Sequence, residues 1–131
     1  MNTTAIIIFG SLFIILHLIN LICGLIRLDT KHHTTLTVFE LLSPIIGILC
    51  GIIMIISQFI SQDYTSLLYS FGYSFTFFMS CVTIYTVIAR EMHRISNATT
   101  ICKHWDLIKW ILLGSCILNI ILGVIFGIVF N

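Results

Sequence analysis

Three polar residues set in long apolar stretches have the types and spacing to do chemistry: His17, Thr76 and Asn119. An imidazole titrates near neutral pH. With a hydroxyl and an amide as neighbours it has the makings of a proton relay or a small-ligand site. The same trio would also serve as an interhelical hydrogen-bond clamp, worth about 1 kcal/mol inside a bilayer. We read it first as a clamp, with His17 the best single functional candidate. Glu40 is the only acidic residue within an apolar stretch, and Thr37-Val38-Phe39-Glu40 reads as a capping box: Thr37 at the N-cap and Glu40 reaching back to its amide. The other histidines (His32, His33, His93 and His104) match no metal-ligand spacing, so no metal site and no cofactor is expected.

These residues need scaffolding, and composition says what kind. Of 131 residues 59% are apolar and 8% are charged, whereas a soluble domain carries about 25% charged residues. A bilayer core of roughly 30 Å takes about 20 helical residues, and the runs at about 5–26, 38–60, 64–89 and 107–130 meet that length. Only helices or closed barrels satisfy their backbone groups in hydrocarbon; these runs are too long for barrel strands and do not alternate. The expected fold is an all-α, four-transmembrane-helix antiparallel bundle, with residues 1–131 as a single transmembrane domain and the lipid bilayer as first partner. A net charge of +1 argues against nucleic acid, which selects a broad basic face.

Orientation follows from the basic residues. All six Lys and Arg (Arg27, Lys31, Arg90, Arg94, Lys103 and Lys109) fall at or between spans 1 and 2, or 3 and 4. The positive-inside rule then places loops 27–37 and 90–106 on the cytoplasmic side and both termini outside. On that topology Asn97-Ala98-Thr99 lies out of reach of glycosylation, and Asn2-Thr3-Thr4 lies close to the membrane. Residues 90–94 are expected to carry the third helix past the membrane. Trp105, Trp110 and Tyr64 fall at interfaces, while Asp63 and Asp106 suit the caps of the third and fourth spans.

Polar and small residues recurring at three and four mark the inward faces. They run Gly10, Phe13, His17, Asn20, Gly24 in the first span, and Ser43, Gly47, Cys50, Met54, Ser57 in the second. The third carries Ser66, Tyr69, Tyr73, Thr76, Ser80, Thr83, and the fourth Ser115, Asn119, Gly123, Gly127. Gly47, Gly51, Gly123 and Gly127 are the candidate helix-packing residues. The GxxxG of Gly123 and Gly127 also suits homodimerisation. Pro44 lacks the N–H that would bond the Glu40 carbonyl, so a kink is expected there.

The five cysteines are scattered, with no C-x-x-C pair, so neither a disulfide framework nor a thiol redox site is expected. The first span has no basic n-region or small-residue cleavage site and is expected to be retained. No acid, base and nucleophile converge, so the chain is not expected to be an enzyme. An accessory or assembly subunit acting through helix–helix contacts, as a homo-oligomer or within a larger membrane complex, is the leading expectation. Its rival is a small oligomeric transporter or channel with the His17–Thr76–Asn119 layer on its path.

Overall fold

The computed structural model describes residues 3–27, 35–60, 64–97 and 104–130. Among them every regular element is helical: α1 (Thr3–Arg27), α2 (Thr35–Ser57), a single turn α3 (Thr65–Leu68), a π-helical turn (Tyr69–Tyr73), α4 (Ser74–Asn97) and α5 (Trp105–Phe130). Four segments are long and apolar enough to cross a membrane: Thr3–Ile26, Glu40–Ser57, Ser66–Asn97 and Trp105–Ile128. The helices close into a ring in which α1 packs on α2 and α5, and α4 packs on α2 and α5.

The element ends differ from the sequence expectations in instructive ways. Helix α2 begins at Thr35, so Thr37 lies inside the first turn rather than at its N-cap. The Thr37 side chain is outside the described residues. The Glu40 carboxylate meets α4, where it accepts a charge-assisted bond from the Thr86 hydroxyl. At the far end α2 stops at Ser57, where the Ser57 hydroxyl donates to the Met54 carbonyl at 2.8 Å and the chain tightens, with Gln58 N–H donating to Ile55 at 3.2 Å. Helix α5 begins at Trp105. Leu107 and Ile108 N–H groups both donate to the His104 carbonyl, and His104 takes the left-handed conformation with φ 65°. Asp106 is therefore inside the first turn, where it pairs with Lys109 at 3.2 Å. The cap expected at Asp63 and the residues at 28–34 and 98–103 fall outside the described residues.

The interior is layered. At one end Ile6, Phe9, Phe13, Met54 and Phe126 form an apolar cluster, with the Phe9 and Phe126 rings 3.9 Å apart. At the other, Cys23, Val87, Trp105, Ile108 and Leu112 form a second. Between them in sequence on α1, α4 and α5 lie the buried polar residues His17; Thr76, Ser80 and Thr83; Ser115 and Asn119, and α2 adds the buried Ser43. The predicted inward stripes are buried or half-buried except Ser66, which is exposed. The outward faces carry Ile, Leu, Val and Phe along the whole length of the bundle.

Small residues set the closest helix approaches. A Cβ on Gly10 would sit 3.3 Å from the Gly51 carbonyl, and one on Gly51 would sit 3.1 Å from that of Gly10, so α1 and α2 touch backbone to backbone. Gly123 and Gly127 are covered from within the chain. Tyr73 lies across Gly123 and donates to the Ile120 carbonyl at 3.0 Å, while Tyr69 donates to the Gly123 carbonyl at 2.9 Å. Both tyrosines come from the π turn, whose wider winding re-aims side chains relative to an α-helix.

Candidate functional site

The three residues first singled out are all buried, yet no hydrogen bond joins any two of them. His17 Nδ1 lies 2.7 Å from the Phe13 carbonyl, which makes Nδ1 the protonated nitrogen, donating one turn back along its own helix. The imidazole ring rests on Gly47, where an added Cβ would come within 2.3 Å of it, and tilts against the Phe13 ring at 4.2 Å. The Thr76 hydroxyl donates to the Tyr73 carbonyl at 3.1 Å. Asn119 alone reaches another helix, donating from Nδ2 to Ser80 Oγ at 3.1 Å; its Oδ1 is buried without a partner among the described residues.

The polar interior that the fold does assemble centres on Glu40. Its side chain is 0% exposed, and the Thr86 hydroxyl lies 2.8 Å from Oε1. That hydroxyl is also 3.0 Å from the Thr83 carbonyl, but its single proton favours the carboxylate, the stronger acceptor. The Arg90 guanidinium lies 3.7 Å from Oε2, with its side chain 27% exposed at the end of the bundle. Thr83, Thr86 and Arg90 continue the Thr76–Ser80 stripe at intervals of three and four. That extension, facing the single acid in an apolar stretch, was the signal available in the sequence, and the capping-box reading passed over it.

Next to this pair is a mainly polar cavity lined by Asn20, Glu40, Ser43, Ser80, Thr83 and Cys116 together with neighbouring apolar groups, with room for about one water molecule. Residues from α1, α2, α4 and α5 thus meet at one point. Asn20 is held there by the Ser115 hydroxyl, which donates to its Oδ1. Such an arrangement can hold a small polar or charged species against a carboxylate. Among the described residues no group of three His, Cys, Asp or Glu comes together to hold a metal ion.

A second charged cluster pins α4 to α5 at the same end. Glu91 accepts from Arg94 Nε at 3.0 Å, Trp105 Nε1 at 2.6 Å and Lys109 Nζ at 2.9 Å. Segment Ser66–Asn97 has 32 residues, or about 48 Å at 1.5 Å per residue. That exceeds an apolar layer of about 30 Å, and the Glu91–Trp105 bond lies toward the C-terminal end of the segment. Trp105, expected at an interface from its type, is tucked inward by this bond and by the apolar cluster around Val87. Trp110 remains exposed.

No known protein family, characterised protein or solved structure matches this chain.

Proposed function

We propose that the protein is a multi-pass integral membrane protein with both termini outside, acting through helix–helix contacts as an accessory or assembly subunit of a membrane complex. The observation that carries the membrane reading is the inverted bundle: polar residues gather inside, and aliphatic and aromatic side chains cover the outside. Water would oppose that arrangement, whereas lipid favours it. Among the described residues the basic ones, Arg27, Arg90, Arg94 and Lys109, lie toward the adjoining ends of α1, α4 and α5, in keeping with the cytoplasmic side. Cysteine labelling in intact cells checks the orientation. A probe at Cys102 is expected to react only after permeabilisation; reaction before it would invert the topology.

Two features support the helix-contact role. The small-residue ridges, Gly123 and Gly127 included, are already used within the chain, so contact with a partner falls to another face. The best-suited face is on the third segment, where Phe71, Phe78, Tyr85 and Met92 recur every seven residues at 72%, 63%, 71% and 64% exposure. A seven-residue apolar period is the spacing of a helix that winds along another helix. Lipid chains impose no such period. The expected result is that gentle-detergent purification, followed by mass spectrometry, yields a stoichiometric membrane partner, and that Phe78→Ala with Tyr85→Ala releases it while the fold persists. A monodisperse single chain with no partner would sink the reading.

A second reading, a small transporter or channel, is supported by the buried carboxylate and its polar cavity. It predicts ion flux in liposomes from the purified chain alone.

A further inference from the structure

The geometry points to a binding site for one monovalent metal cation in the cavity beside Glu40. The site depends only on the bundle interior and stands or falls separately from the accessory role.

The donor set argues for a cation. Glu40 brings a carboxylate, which only accepts. Asn20 brings an amide oxygen that shares the Ser115 hydroxyl proton with the Leu112 carbonyl. Ser80 Oγ likewise receives its proton from Asn119 and keeps a further lone pair. Ser43 and Thr83 are each more than nine-tenths buried and line the cavity. Neither hydroxyl has a hydrogen-bond partner among the described residues. Both hydroxyls border one polar space, so an occupant there can be addressed by both. The polar lining is oxygen apart from the Cys116 thiol, and oxygens with one carboxylate suit a hard cation.

Charge and size narrow the choice. One carboxylate, already faced by a guanidinium, cannot balance a divalent ion in a low-dielectric interior. Room for about one water molecule is room for one bare monovalent ion. Pro44 adds a local reason for the site's position. It cannot donate to the Glu40 carbonyl, so α2 is weakest in its own hydrogen bonding beside the cavity. The same logic places ions at broken helices within membrane bundles. Arg90 then acts as the competitor. It sits 3.7 Å from the carboxylate and is partly exposed, so an entering cation weakens its hold and lets the guanidinium turn to water.

The test is thermal unfolding of the purified full chain at constant ionic strength in sodium, potassium or choline chloride. A cation bound only by the folded state raises the transition temperature with its concentration. The expected result is an upward shift in sodium or potassium over choline, lost in Ser43→Ala and in Thr83→Ala, and reached at lower concentration of the metal cation in Arg90→Gln. Equal transition temperatures in the three salts would overturn the proposal and leave water as the occupant. A metal-cation shift that survives in both alanine variants would place the ion elsewhere and overturn it too.

Discussion

Replacing Gly123 by alanine is expected to destabilise the bundle by roughly 3 kcal/mol, although it adds one methyl group to a helix. A Cβ at this position would lie 1.8 Å from two ring carbons of Tyr73 and 2.2 Å from its hydroxyl oxygen. The ring has to move, and moving it breaks the 3.0 Å bond to the Ile120 carbonyl and disturbs the stacked pair with Tyr69, whose centroid is 5.3 Å away. Overpacking alone accounts for about 1–3 kcal/mol, and the lost hydrogen bond adds about 1. The control lies on the same helix. A Cβ on Gly114 meets nothing within 4 Å, so Gly114→Ala is expected to be neutral or to gain up to about 1 kcal/mol from helix propensity. Reversible unfolding in mixed micelles measures both. In a Tyr73→Ala background the Gly123→Ala penalty should largely vanish, because the two side chains compete for one space. Equal effects at 114 and 123 would contradict the packing described.

Glu40→Ala is expected to cost about 3 kcal/mol, measured in choline chloride so that metal-cation binding plays no part. It leaves the Thr86 hydroxyl only the weaker Thr83 carbonyl as acceptor and takes from the Arg90 guanidinium the carboxylate that faces it. The value is the low end for a broken buried pair because Arg90, at 27% exposure, can turn outward. Glu40→Gln keeps an oxygen for Thr86 and should cost less than Glu40→Ala. Adding Arg90→Ala to Glu40→Ala should recover part of the loss, since the uncompensated charge goes with it. A Glu40→Ala protein within about 0.5 kcal/mol of the wild type would mean that the carboxylate is solvated.

His17 shows how far periodicity reaches. Its place on the inward face of the first helix was legible, since Gly10, Phe13, Asn20 and Gly24 share its stripe. Its partner was not. The sequence offered Thr76 and Asn119 at matching depth, but the ring lies on Gly47 and donates to Phe13. Depth along a span follows from counting residues. Which neighbour a side chain meets depends on the rotation and offset of the facing helix. The π turn at Tyr69–Tyr73, which no residue pattern announced, alters that rotation for the third segment.

Glu40 and the GxxxG ridge make the same point from the other direction. Local chemistry offered each a complete explanation: a capping box for one, a homodimer face for the other. Both explanations used only neighbours in sequence. In the folded chain Glu40 faces Thr86 and Arg90, and Gly123 and Gly127 face Tyr73 and Tyr69, all at least 46 residues away.

By itself the sequence determined an all-helical chain with four segments long and apolar enough to cross a membrane, and which face of each turns inward. Hydropathy and period are properties of single segments, summed over many residues, and no other segment is needed to read them. Only the tertiary structure decided that α1, α2, α4 and α5 close into a ring, that a buried carboxylate meets its arginine there, and that Asn20, Ser43, Ser80 and Thr83 enclose one polar cavity. Those are relations between segments, set by how glycines, tyrosines and a π turn let the helices approach. No residue carries that information until its neighbours from the other helices are in place.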